Sequence, residues 1–315
     1  MAPLQMIPYL EQLTARLVTG MMAVDDSIRN RHAAYLLAAQ CSDGGFAGRE
    51  GGSDPYYTTF ALRALAILGE LQGETASRAG EFFKGQLTAR TSVIDLLSLI
   101  YGGAILQRFA GIDPMANTVG NWREAVAAEL EKFRRGDGGY AKTDEGASSS
   151  LYHSMLVVIC QQLIDVPLVD SEALKRFVLS RQRDDGGFVE MAPMKRSGTN
   201  PTAAAVALLG ILDADHNSTR EKAAGFLNSM QTPEGGFRAN SRIAVADLLS
   251  TFTGLLTLTD LGATETIDFP AARGYAESLA CEGGGFHGGI WDDGNDVEYT
   301  FYGLGISAIT ANHPE

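Results

Sequence analysis

Two short segments carry the same pairing of acid and phenol. Asp54-Pro55-Tyr56-Tyr57-Thr58 and Asp296-Val297-Glu298-Tyr299-Thr300 both place Asp at i, Tyr at i+3 and Thr at i+4. On a helix those positions share a face. Asp54 and Tyr57, and likewise Asp296 and Tyr299, would stand side by side. A carboxyl whose pKa is raised by burial or by a neighbouring carboxylate is a general acid. Asp247, in Ala246-Asp247-Leu248-Leu249-Ser250, offers a third acid, and Glu298 lies within the second segment. Tyr57, Tyr152, Trp291 and Tyr302 supply aromatic surface near these acids. Such walls suit an apolar chain and stabilise a cation through the ring quadrupole. Arg242 precedes Asp247 and is a candidate partner for an anion. His153, aligned with Thr58 and Thr300, offers a base or a metal ligand. Each residue also has a plainer reading. Asp is a preferred helix N-cap, aromatics dominate cores, a loop arginine is commonly solvated, and a histidine is commonly structural.

The elements that must position these groups are set by a repeat. Gly-Gly-Phe or Gly-Gly-Tyr occurs at 44–46, 138–140, 186–188, 235–237 and 284–286. The last three gaps are 48, 49 and 49 residues and the first is 94, two beats of 47, so one copy near residue 91 lacks its glycines. In three copies Gln40, Gln182 and Gln231 stand four residues before the glycine pair. In four, an acid, Asp43, Asp137, Asp185 or Glu234, stands immediately before it. A period in this range marks stacked supersecondary units with one shared core. The stretch before each phrase has helical apolar spacing with a charged face; the stretch after it is apolar on most faces.

Each unit therefore reads as an amphipathic outer helix, a tight glycine loop and a buried inner helix. Inner helices are expected near 55–69, 91–107, 149–163, 200–212, 245–259 and 296–309. Outer helices are expected near 26–39, 75–86, 121–134, 171–181, 218–230 and 269–280. An open stack would leave two apolar ends. Closure removes them, so the expected fold is an all-α (α/α)6 barrel, or toroid, over 25–315, with 1–24 an N-terminal extension carrying a helix at 4–19. Asp54 and Asp296 should then open adjacent inner helices.

Composition sets the outer bounds. The chain has 315 residues, 45% hydrophobic, and a formal charge of −13. An acidic surface is unsuited to a phosphate backbone, so nucleic acid is not expected as a partner. The apolar stretches read as shorter than a membrane span, and no basic segment followed by an apolar one opens the chain. Cys41, Cys160 and Cys281 form no C-x-x-C pair. The expected setting is cytoplasmic with reduced thiols.

Gln four residues before Gly-Gly-aromatic, on a double-helix repeat of this length, resembles the repeat of the prenyltransferase and squalene-cyclase superfamily. The resemblance covers about 25–310. The single-barrel length and the Asp296-to-Leu304 segment are closest to the β subunits of protein prenyltransferases. The resemblance implies a barrel around an apolar cavity and an isoprenyl diphosphate or polyprenyl chain as ligand. It implies a transferase-like activity with Asp54, Asp247, Asp296 and Tyr299 as catalytic candidates. Tyr57, Tyr152, His153, Arg242, Trp291, Glu298 and Tyr302 become substrate-binding candidates. It also implies a helical partner subunit or a second copy. In those subunits zinc is held by an Asp, a Cys two residues on and a His on the next inner helix. The matching positions here are Asp247, Leu249 and Tyr299, so zinc is not expected. Magnesium would enter only with a diphosphate. Two further readings stand beside transfer: acid-initiated cyclisation like that of class II terpene cyclases, and a non-catalytic polyprenyl- or protein-binding module. The class II acid motif, Asp-x-Asp-Asp, is not matched by Asp292-Asp293-Gly294-Asn295-Asp296.

Overall fold

The computed structural model describes residues 8–86, 92–116, 118, 120–214, 217–311 and 313. After α1 (Tyr9–Met21), the chain alternates outer and inner helices. The pairs are α2 (Asp26–Ala38) with α3 (Pro55–Leu68), α4 (Gly73–Gln86) with α5 (Val93–Ala110), and α6 (Trp122–Glu131) with α7 (Leu151–Leu163). They continue with α8 (Ser171–Leu179) and α9 (Thr199–Ile211), α10 (Asn217–Asn228) and α11 (Leu248–Leu261), and α12 (Phe269–Ser278) and α13 (Val297–Ala311). The inner helices α3, α5, α7, α9, α11 and α13 pack each on the next, and α13 packs on α3 to close the ring. The fold is the all-α toroid that the repeat implied. The loop preceding α5, at 87–91, lies outside the described residues, as does the expected start of the first helix at residue 4.

The glycine phrase is a joint between neighbouring units. At Gly44, Gly138, Gly186 and Gly235, φ lies between +88° and +95°, and an added Cβ would sit 2.1–2.5 Å from a backbone oxygen of the next outer helix. The second glycine lies under an aromatic ring of that helix: Phe82, Phe177, Phe226 or Tyr275. The last loop does the same to the first outer helix, with Gly284 and Gly285 against Arg31 and Tyr35. Only glycine permits both the left-handed turn and the contact.

The repeated Gln completes the joint. Gln40 Nε2 donates to Gly44 O and Thr75 O, each at 2.9 Å, and Gln182 and Gln231 span the same gap to Thr219 O and Asp268 O. The acid before the glycines accepts from the backbone amide two residues on, as at Asp43, Asp137 and Asp185. The aromatic residue is buried, and its amide donates to a hydroxyl on the following inner helix: Thr58, Ser154, Thr202 or Thr251, each at 2.9 Å. Ser154, and not His153, is therefore the equivalent of Thr58. The alignment of His153 with Thr58 is one residue out.

The seam has its own fixture. His32, fully buried on α2, accepts from Gly285 N at 3.1 Å through Nδ1 and stacks on Phe286 with 4.5 Å between ring centres. Burial, with Arg31 adding to it, pulls its pKa from 6.5 to about 4. The folded protein thus binds this proton less readily than the unfolded chain. The stabilisation is complete above about pH 6.5 and is lost as pH falls toward 4, at about 1.4 kcal/mol per pH unit in that window. Melting temperature followed from pH 7 to 4 should drop more steeply for the native protein than for His32→Gln. Parallel profiles would refute the assignment.

The helix α5 corrects one sequence expectation. Its 18 residues are apolar enough to cross a membrane, and it is the one such helix among the described residues. Half of it is buried, and it packs between α3 and α7 as a stave of the ring.

Candidate active site

The six inner helices enclose a cavity of about 560 Å3. Its walls are mostly carbon: Leu97, Met155, Leu156, Ile159, Ala204 and Leu256, with Phe60, Tyr101, Phe252 and Tyr302 as the aromatic portion. The floor is α1. Tyr9, Leu10 and Leu13 line the cavity. Tyr9 OH donates to Asp260 and Tyr9 N to Gln162, both at the C-terminal ends of inner helices. Arg16 pairs with Asp260, and the Thr14 and Tyr101 hydroxyls are 2.9 Å apart. The cavity is thus blind at that end. It opens where the inner helices begin, beside Tyr152, which is 36% exposed.

Four of the sequence candidates line this space: Tyr152, His153, Glu298 and Tyr302. Of the two acids that line the cavity, Glu190 and Glu298, Glu298 is the one bonded to phenols. It is the second residue of α13, and its Oε1 accepts from Tyr56 OH at 2.7 Å and Tyr302 OH at 3.1 Å. Burial raises its pKa, the two phenols pull it down, Asp296 pushes it up and Arg63 draws it down; the net direction is upward. Burial also holds the Tyr56 and Tyr302 phenols well above their ordinary range, so both remain donors. His153 Nδ1 is 2.6 Å from Ser150 Oγ, and burial lowers its pKa. Its Nε2 is buried and has no partner among the described residues.

The three aspartates stand elsewhere. Asp54, Asp247 and Asp296 accept from the amides of Tyr57, Ser250 and Tyr299 at 2.8, 2.7 and 2.9 Å, each closing the first turn of an inner helix. None of the three lines the cavity. Burial raises the pKa of Asp54 and of Asp247. Asp296 takes a second role at the ring closure, where Arg49 pairs with it at 2.9 Å and with Asp292 at 2.6 Å. Tyr299 lies under the Arg49 guanidinium, 5.3 Å from its ring centre. Tyr57 packs against Gly48, Trp291 is 56% exposed, and Arg242 is an exposed loop residue whose amide donates to Asn240.

The positions that a zinc site would use do not fit a metal. Asp247 Oδ1 and Oδ2 are held by Ser250, Leu249 faces the cavity with an isobutyl group, and Tyr299 is stacked on Arg49. No cluster of three or more His, Cys, Asp or Glu that could hold a metal occurs among the described residues.

Two residues that matter here were not singled out from sequence. Tyr56, and not its neighbour Tyr57, reaches Glu298. Arg63 lines the cavity and, among the described residues, is the one arginine or lysine to do so. A signal existed for both. Tyr56, Phe60 and Arg63 fall at i, i+4 and i+7, the inward face of α3, and Arg63 is a lone cation in the run from Phe60 to Leu68.

The model of the prenyltransferase alpha-alpha toroid domain matches residues 17–84, 117–238 and 202–314. The chain belongs to that family. Among solved structures, this toroid is similar to Candida albicans protein geranylgeranyltransferase-I complexed with GGPP, at 17% identity and a TM-score of 0.70, over 88% of this chain and 89% of that one. It is also similar to the type II terpene cyclase MstE from Scytonema in complex with geranylgeranyl dihydroxybenzoate. There the identity is 13% and the TM-score 0.62, over 96% and 98% of the two chains. The GH76A alpha-1,6-mannanase from Salegentibacter is similar as well, at 11% identity and a TM-score of 0.58, over 91% and 98%. At these identities the likeness is one of fold. No curated protein sequence matches this chain.

Proposed function

We propose that this toroid is an enzyme that takes an isoprenoid chain into its blind cavity and starts a cyclisation by protonating an alkene from Glu298. The observation that carries this reading is the setting of Glu298: a carboxyl with a raised pKa, at the entrance of an aromatic-walled apolar cavity, already bonded to two phenols. Burial favours the protonated acid that must give up the proton. Tyr56 and Tyr302 then stabilise the carboxylate left behind. The proton adds to one alkene carbon, its neighbour becomes a cation, a second alkene closes on that cation, and loss of a proton yields an isomer of the substrate. Phe60, Phe252 and Tyr302 pack edge-on or tilted to one another around that space, and their faces can hold the cation.

The mannanase shares the fold, but a carbohydrate needs a wall rich in hydrogen-bonding groups, and this wall is mostly carbon. Prenyl transfer asks the entrance for cations to hold a diphosphate. Among the described residues, the polar groups that line the cavity toward the starts of the inner helices are Tyr56, Tyr152, His153, Glu190, Asn200 and Glu298, with two acids and no lysine or arginine. Proton-initiated chemistry suits that charge better.

The test is product analysis. Incubation with geranylgeraniol, geranylgeranoic acid and geranylgeranyl diphosphate, followed by mass spectrometry, should give a product of unchanged mass with fewer alkenes. Release of diphosphate with a prenylated acceptor would establish transfer instead. Bound ligand recovered intact from every incubation would leave a binding module.

A further inference from the structure

Among the described residues the cavity is lined by one guanidinium, that of Arg63, which the proposed protonation does not use. Arg63 lies nine residues into α3, seven beyond Tyr56 on the same inward face, which is roughly 10 Å further from the entrance at the rise of a helix. It is in the half of the cavity nearer α1. Its guanidinium lies 3.7 Å from the centre of the Phe301 ring, 5.1 Å from that of Phe60 and 5.3 Å from that of Tyr101. The Tyr101 hydroxyl is engaged with Thr14 of the floor helix. Three aromatic faces hold the arginine in place, but they supply no hydrogen-bond acceptor in its plane. Its Nε is buried without a partner, and among the described residues no carboxylate forms an ion pair with it. A guanidinium in an apolar enclosure is costly unless an anion and hydrogen-bond acceptors meet it. Its flat fork of donors matches a carboxylate in two-pronged fashion.

The charges therefore run in an unusual sense along the cavity axis. The acids Glu298 and Glu190 are at the entrance, and Arg63, the one arginine or lysine among the described lining residues, lies deep. An amphiphile with its anionic head at the entrance would meet the acidic side chains Glu190 and Glu298 and no cation among the described lining residues. With its head inward it meets Arg63, and its chain extends back toward Glu298. One arginine offsets one unit of charge. A diphosphate carries more than one and would leave the excess buried against aromatic walls.

We propose that Arg63 is an anion-binding subsite near the floor of the cavity and that the ligand is an isoprenoid carboxylic acid bound head-inward. The carboxylate pairs with Arg63 and the alkenes furthest from it lie near Glu298. This rests on the isoprenoid reading of the cavity and adds the head group and the direction of entry. It makes Arg63 a specificity-determining residue: it selects the acid over the corresponding alcohol and fixes which alkene reaches the proton donor.

The experiment is calorimetric titration of farnesoic acid, farnesol and farnesyl diphosphate at pH 8 into the native protein, Arg63→Lys and Arg63→Met. Circular dichroism confirms that each variant is folded. The native protein and Arg63→Lys should bind the acid at least about tenfold more tightly than the alcohol, the gain of one charge-assisted pair. In Arg63→Met the preference should vanish while the alcohol binds as before. The diphosphate should bind no more tightly than the acid. Equal binding of acid and alcohol by the native protein overturns the subsite and leaves the isoprenoid reading standing. So does a preference that survives in Arg63→Met. A diphosphate that binds far more tightly than the acid overturns the single-charge head group. Failure of all three probes to bind overturns the isoprenoid reading and the subsite with it.

Discussion

Glu298→Gln should lower turnover of an isoprenoid substrate by about 10²–10⁴-fold, the usual contribution of a positioned general acid, and leave the fold and ligand binding intact. The substitution is nearly isosteric. Its amide oxygen can still accept from Tyr56 and Tyr302, whose hydroxyls are 2.7 and 3.1 Å from Glu298 Oε1. What the amide cannot do is donate an acidic proton. The pH profile adds a second readout. Burial raises the pKa of Glu298, so the protonated acid persists to higher pH than an ordinary carboxyl, and activity should decline on the alkaline side as pH rises through that value. Removing a phenol has a related effect. In Tyr302→Phe the carboxylate left after transfer loses one donor, which raises the pKa further and slows the transfer. Retained turnover in Glu298→Gln would take Glu298 out of the chemistry. Attention would then move to the aspartates that cap the inner helices, above all Asp296, which is 7% exposed and adjacent to Glu298 through the first turn of α13.

The largest stability effect is expected from a single methyl group. Gly235→Ala places a Cβ 2.1 Å from the backbone oxygen of Ala271 in α12, on a residue with φ of +95°. The left-handed conformation costs about 1–2 kcal/mol for an L residue, and forcing a rigid neighbour aside costs about 1–3 more. A loss of roughly 2–5 kcal/mol is a large part of a typical domain's stability. Gly225→Ala is the matched control. Gly225 is exposed within α10, and an added Cβ meets nothing within 4 Å, so the same change should stabilise by about 0.5–1 kcal/mol. Chemical denaturation of the two variants should therefore move in opposite directions. A Gly235→Ala protein as stable as the native one would mean that the loop does not lock α10 to α12 in the way described.

The two results concern different kinds of residue, and that division explains what was legible in the chain. The recurring residues of the glycine phrase turned out to hold the loop itself, its own inner helix and the next outer helix. The glycines admit the next outer helix, Gln231 reaches across to Asp268 O, and Thr251 receives the amide of Phe237. Such contacts are local and recur once per unit. They leave a period in the sequence, and the sequence alone was enough for the helix order, the unit length and the closed ring.

The chemistry is not periodic. Glu298, Tyr56, Tyr302 and Arg63 occur once each, on two inner helices 242 residues apart at the Tyr56–Glu298 contact. Only closure of the ring brings them together. Sequence alignment of the units favoured Asp54 and Asp296 because they repeat, and the repeat reflects their shared place as caps at the first turn. Glu298 stands two residues further on, about 200° round the helix at 100° per residue, and so faces the cavity. The blind floor was equally hidden. Tyr9, Leu10 and Leu13 lie in the helix expected at 4–19, and nothing in their spacing says what they meet. The repeat determined the container, because its forces act between neighbours in sequence. The tertiary structure decided which acid, which base and which end of the cavity are in play, because those depend on which faces of distant helices are turned inward together.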